Sequence, residues 1–151
     1  MGKILIVYYS LSGNTEAMAK AVAEGARAVT GTQVTVKKAF DVSLEELLSC
    51  DAVAFGSPDY FSYIAGALKD FFDRTYYPSQ GKVTGKPCAL FATGGGGGGK
   101  VLSILEGFCK AFKLKKAAEN VSAAGHPTEG ILEECKALGR ELAIAGAGSR
   151  K

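Results

Sequence analysis

The chain has 151 residues, enough for one compact domain with a sizeable core and too few for two. Hydrophobic residues at 47% and charged residues at 22% exclude a disordered chain, and a net charge of +3, carried largely by Lys113, Lys115, Lys116, Arg150 and Lys151, is too small and too local for a nucleic-acid footprint. One histidine and four cysteines without CxxC spacing leave no recognisable metal site.

In chain order, Lys3 to Tyr9 is a nearly continuous β-branched and aromatic run, the pattern of a central strand buried on both faces of a parallel sheet. Its apolar stretch, Ile4 to Tyr9, is too short for a signal-peptide core or a membrane span, so a cytoplasmic protein without a membrane partner is expected. Ser10 to Thr15 breaks the pattern with short polar residues. Met18, Val22 and Val29 then recur at helical spacing, Ala17, Ala19, Ala21 and Ala23 allow close approach to a sheet, and Gly31 stops the helix. Gln33 to Lys37, with Val34 and Val36 on one face, reads as an edge strand. Ser43 and Glu46 form a capping box for a short helix near Leu44 to Ser49.

Ala52 to Gly56 is a third, buried strand. Ile64, Leu68, Phe71, Phe72 and Thr75 share one stripe and predict a helix from about Ala65 to Tyr76, while Pro78, Gly81 and Gly85 make Tyr77 to Lys86 a loop. Cys88 to Thr93 is the fourth buried strand. Val101, Leu105, Phe108 and Phe112 mark another helix, and Ala117 to Ala123 a weak fifth strand. Pro127 and Thr128 open a last helix with Ile131, Cys135, Leu138 and Leu142 on its buried side, and Gly146 to Lys151 should fray. Cys50, Cys88, Cys109 and Cys135 are too scattered for a disulfide framework and read as reduced, buried thiols. Five strands alternating with five helices predict right-handed crossovers and a single domain over residues 1–151, a doubly wound parallel sheet covered on both faces. Ligands in such sheets bind outside the carboxyl ends of the strands, at the loops Ser10 to Thr15, Ser57 to Tyr63 and Thr93 to Lys100.

The first of these loops places Ser10, Ser12, Asn14 and Thr15 around Gly13, between the central strand and the first helix. Hydroxyls and free amides at a helix N-terminus suit a phosphate, and no Lys or Arg lies between Ser10 and Lys20, so hydrogen bonds rather than a cation would hold the anion. An ordinary polar turn with capping residues has the same composition. The second loop concentrates Tyr60, Phe61 and Tyr63, which either flank a planar ring or pack beneath the following helix. The third is the anomaly of the composition: 20 glycines, six of them unbroken from Gly94 to Gly99. The run imitates GxGxxG trivially and imitates a P-loop through Lys100, but Val101 stands where the magnesium-binding hydroxyl belongs, and a dinucleotide fingerprint would follow the first strand rather than the fourth.

The run Ile6-Val7-Tyr8-Tyr9-Ser10-Leu11-Ser12-Gly13-Asn14-Thr15, with Ala19 and Val22 after it, resembles the phosphate-loop signature of flavodoxins. Phe55-Gly56-Ser57-Pro58-Asp59-Tyr60-Phe61, then Leu68-Lys69-Asp70-Phe71 and Asp73-Arg74-Thr75, is similar to NAD(P)H:quinone oxidoreductases and FMN reductases of the same fold. The resemblance implies a five-stranded sheet of order 2-1-3-4-5 and FMN as cofactor. It implies phosphate contacts from Ser10, Leu11, Ser12, Gly13, Asn14 and Thr15, and ring contacts from Ser57, Pro58, Asp59, Tyr60, Phe61 and Ser62, with Phe61 the best match to the family's ring contact. Thr93, Gly94 and Gly95 would lie along the ring edge and offer amides, since glycine lets backbone approach closely. The rest of the glycine run is expected to be slack.

The implied function is electron transfer. Electron-carrying flavodoxins commonly cover the ring with an aromatic residue of the third loop and carry an acidic rim; here no aromatic lies between Phe91 and Phe108 and the net charge is positive. This favours flavin-dependent reduction of a quinone or a redox partner, with NAD(P)H as one candidate donor and a homodimer as one candidate assembly. The compact length keeps the alternative of a one-electron carrier without NAD(P)H turnover. His126 and the acidic residues offer no catalytic acid and base pair, so the chemistry would belong to the cofactor. A receiver-type signalling module would need an acidic cluster that Ser10 to Asn14 does not begin, and the intact phosphate loop argues against a flavin-free relative used for interaction.

Overall fold

The computed structural model describes residues 2–148. Six strands, β1 (Lys3–Tyr8), β2 (Gln33–Lys38), β3 (Ala52–Pro58), β4 (Pro87–Gly94), β5 (Lys115–Lys116) and β6 (Val121–Ala124), form one sheet in which every pairing between strands is parallel. Its order is β2-β1-β3-β4, followed by β5 and then β6, end to end along the far edge of β4. The fifth position is thus filled by two short segments, and the doubly wound 2-1-3-4-5 arrangement holds. Five helices cover the faces: α1 (Asn14–Arg27), α2 (Leu44–Ser49), α3 (Gly66–Ser79), α4 (Gly99–Ala111) and α5 (Glu129–Gly148).

The alternation of β1 divides the core in two. Ile4, Ile6 and Tyr8 point to the α1 and α5 layer, where they meet Met18, Val22, Phe91, Leu138 and Leu142; Leu5 and Val7 point to the α2, α3 and α4 layer, with Phe55, Phe71, Phe72 and Leu105. Strands covered on both faces need apolar residues at every position, which is why β1, β3 and β4 read as continuous runs. Edge strand β2 instead alternates between exposed and half-buried residues. The capping box of α2 is present: the Glu46 amide donates to Ser43 Oγ at 3.2 Å and the Ser43 amide to Glu46 Oε1 at 2.9 Å.

α1 and α5 touch backbone to backbone. A Cβ on Gly139 would fall inside the Val22 carbonyl, and one on Gly25 inside that of Lys136, so these two glycines serve this contact. All four cysteines are buried and free. Burial pushes the Cys50 thiol up to about 11 and the Cys135 thiol up to about 12, so both stay protonated at neutral pH.

Three expectations need correction. The helix α3 continues through Tyr77 and Pro78 to Ser79. Pro78 sits in its last turn, where losing one amide and one bond to a carbonyl is tolerated. The fifth strand does not run from Ala117 to Ala123: Cys88 pairs with Lys116 and Phe91 with Val121, so Ala89 and Leu90 face the four residues 117–120, and the surplus bulges out of the sheet. Asn120 is held there by a bond from its Nδ2 to Glu106 Oε2 at 3.2 Å. Finally, residues 146–148 do not fray but complete α5, with Gly146 buried against Ile4 and Ala52; positions 149–151 lie outside the described residues.

Candidate cofactor site

At the carboxyl end of β1 the chain turns directly into α1. Ser10 Oγ accepts from the Gly13 amide at 3.0 Å, and Gly13 adopts φ +97°, a left-handed conformation open to glycine at no steric cost, before its carbonyl accepts from Ala17 at 3.0 Å. No side chain caps α1. Among the described residues nothing accepts from the amides of Asn14, Thr15 and Glu16, although Thr15 is only 1% exposed. Unbonded amides at the positive end of a 14-residue helix, with Asn14 and Glu16 half-buried and Thr15 buried, have the chemistry that suits an anion. The carboxylate of Glu16, the one acid of the first turn, is engaged by the Tyr8 hydroxyl at 3.2 Å. Burial first, and then the Glu16 charge, raises the Tyr8 phenol above its ordinary value, so it stays a donor.

The second loop is pinned at its base by Ser57, fully buried, whose Oγ donates to the Pro58 carbonyl at 2.8 Å and accepts from the Ala65 amide at 2.9 Å. Tyr60 and Tyr63 exchange both backbone hydrogen bonds, at 3.0 and 3.1 Å, which leaves Phe61 and Ser62 as the two central residues of a tight turn. Both have positive φ, 58° and 61°, the signature of a type I′ turn that normally uses Asn-Gly. Asp59 Oδ1 accepts from the Ser62 amide at 2.8 Å and holds the turn. Phe61 is fully exposed at the tip, so it does not pack beneath α3; Tyr63 is exposed beside it. Tyr60 turns inward, edge-on to Tyr9 at 6.4 Å, and Tyr9 in turn meets Phe40 at 6.1 Å. Burial raises the Tyr60 phenol, and the backbone of Leu11 pulls the other way.

The third loop is less slack than its composition suggests. The Gly97 amide donates to the Gly94 carbonyl at 3.0 Å, and buried Gly98 begins α4 with its carbonyl accepting from Leu102 at 3.1 Å. Gly94 sits so close to the second loop that a Cβ would lie 3.0 Å from Asp59 Cβ. Gly95, Gly96, Gly97 and Gly99 have no neighbour within 4 Å of a Cβ position, though Gly97 is held at φ +105°, and Gly95 and Gly96 present exposed bare backbone.

These loops meet. Thr15 Oγ1 and Thr93 Oγ1 share a buried hydrogen bond at 2.9 Å, and the Asp59 amide donates to the Thr93 carbonyl at 2.9 Å. Ser10 to Thr15, Ser57 to Ser62 and Thr93 to Gly95 are therefore tied together at the carboxyl end of the sheet. The Ser57 hydroxyl donates and accepts inside the protein, whereas in the Thr15–Thr93 pair only one of the two hydroxyls gives up its proton and the other keeps a donor. A fourth loop joins them. The Gly125 amide donates to the Gly94 carbonyl at 3.2 Å, and His126 Nδ1 lies 3.2 Å from Asn14 Oδ1. Sequence reasoning set His126 aside as a lone histidine; nothing in its local pattern points 112 residues back to Asn14. Among the described residues no cluster of His, Cys, Asp and Glu could hold a metal ion, so the acidic centre of a receiver module has no counterpart here.

A family model described as Flavodoxin matches residues 6–139. A flavodoxin from Aquifex aeolicus is 36% identical over 95% of this chain and 86% of its own length. Among solved structures, a flavodoxin from the domain Archaea superposes with a TM-score of 0.86 at 29% identity, covering 96% of this chain and 99% of the other. A two-electron reduced flavodoxin from Megasphaera elsdenii gives 0.80 at 26%, covering 93% and 98%. The receiver-module alternative finds no support in these matches.

Proposed function

Because the chain belongs to the flavodoxin family, which binds FMN and transfers electrons, we propose that its own crevice holds FMN across the first three loops and passes electrons to a quinone or a redox partner protein. The observation that carries this reading is the set of unbonded amides at Asn14, Thr15 and Glu16, which fits a phosphate. The FMN, when bound, supplies the redox chemistry.

The protein's part is binding, orientation and exclusion. The loop from Ser10 to Thr15 would hold the phosphate by amides, with Gly13 fixing the turn and the α1 dipole adding favourable potential. Tyr60 and Phe61 would border the ring, one held edge-on by Tyr9 and one displayed on a strained turn. Thr93, Gly94 and Gly95 would approach its edge with amides, which favour negative charge there; Asp59 anchors this strand end through its own amide.

Gly95 and Gly96 leave one side of the crevice without side chains, which favours a small acceptor or donor such as a quinone or NAD(P)H. The second reading is a carrier that only exchanges electrons with partner proteins, favoured by the exposed apolar rim of Leu11, Phe40, Phe61 and Tyr63. The same rim would serve a homodimer. No described helix is long and apolar enough to cross a membrane.

Steady oxidation of NADH or NADPH by the FMN-loaded protein, accelerated by added benzoquinone, is the expected result. No turnover with either nicotinamide, together with rapid electron exchange with a reduced iron–sulfur protein, would reject the reductase reading in favour of the carrier.

A further inference from the structure

We propose that His126 is a positioning residue for the phosphate loop: it fixes the carboxamide of Asn14 so that only donors face the anion. This rests on the FMN reading above and concerns a residue outside the three loops that define it.

A phosphate needs donors, and the amides of Asn14, Thr15 and Glu16 supply them. The Asn14 side chain is ambivalent, because its Oδ1 would repel a phosphate oxygen while its NH2 group would donate to one. His126 Nδ1 lies 3.2 Å from Asn14 Oδ1, and since a carbonyl oxygen can only accept, Nδ1 carries the proton and donates. The acceptor end of Asn14 is thereby occupied. Its Nδ2 has no acceptor among the described residues, so both of its hydrogens are available to a ligand. A free asparagine would have to be oriented on binding; this one is oriented beforehand.

His126 is itself held in place. It follows Gly125, which has φ +74° and whose amide donates to the Gly94 carbonyl at 3.2 Å. The β6–α5 loop is thus tied to the glycine loop on one side and to the phosphate loop on the other. Few charged side chains compete: the phosphate loop has no Lys or Arg before Lys20, and the Glu16 carboxylate is taken by Tyr8.

The test is titration of the apoprotein with FMN and with riboflavin, which lacks the phosphate, followed by quenching of flavin fluorescence. His126→Ala removes the donor. His126→Asn places an amide nitrogen near the position of Nδ1 and keeps one. FMN binding is expected to weaken roughly tenfold in H126A, with riboflavin binding unchanged, and to return to within about threefold of wild type in H126N, the size of one hydrogen bond. Asn14→Ala should weaken FMN binding by a similar factor, and the double variant no further. Unchanged FMN affinity in H126A, an equal loss for riboflavin, or no recovery in H126N would overturn the assignment while wild-type FMN binding stood. Failure of the wild-type apoprotein to bind FMN would remove the functional reading itself.

Discussion

Phe61 and Ser62 hold left-handed backbone without being glycine, at a cost of roughly 1–2 kcal/mol each. The cost persists because the Tyr60–Tyr63 pairing and Asp59 over-determine the turn, and its product is an aromatic side chain displayed to solvent at the crevice rim. Ser62→Gly should relieve part of this strain and raise stability by about 0.5–1 kcal/mol in chemical denaturation, after the entropy cost of glycine. An unchanged or lowered midpoint would show that the turn is not strained. At this scale composition identified the right neighbourhood but not the direction of each side chain. Ser10, Thr15, Ser57 and Thr93 are all short hydroxyl residues of the candidate site, yet all four hydroxyls bond within the protein, and the three that are buried, Thr15, Ser57 and Thr93, need a partner there. His126 was invisible as a neighbour of Asn14 because the fold, not local sequence, brings them together.

At the scale of elements, periodicity located α1, α3, α4, α5 and all four long strands, since a sheet covered on both faces leaves continuous apolar runs and its helices leave stripes, while the capping box located α2. The misses occur where a local rule was outweighed. Pro78 stays helical because the final turn needs fewer amides, and α5 carries its glycines to Gly148 because Gly146 packs onto Ile4 and Ala52. Glycines that resemble breakers are packing residues in the α1–α5 pair. Gly139→Ala should force these helices apart, since the new methyl group meets the Val22 carbonyl rather than a flexible side chain, and destabilise the protein by about 2–3 kcal/mol or more. Thermal denaturation measures this; a loss below about 0.5 kcal/mol would mean that the helices slide past each other freely.

For the whole molecule, parallel topology matters more than any one motif. With every strand pointing the same way, the loops after β1, β3, β4 and β6 open at one end of the sheet, and residues as distant as Ser10, Phe61, Gly95 and His126 converge. The six-glycine run supplies backbone at Gly95 and Gly96, a turn at Gly97 and a helix start at Gly98, so a low-complexity segment has distinct tasks along its length. If the amides opening α1 hold the phosphate of FMN, titration of the apoprotein with FMN against riboflavin will separate the two ligands. Binding of FMN at least tenfold tighter than riboflavin is the expected result; equal affinity for the two, or no uptake of either, would contradict it.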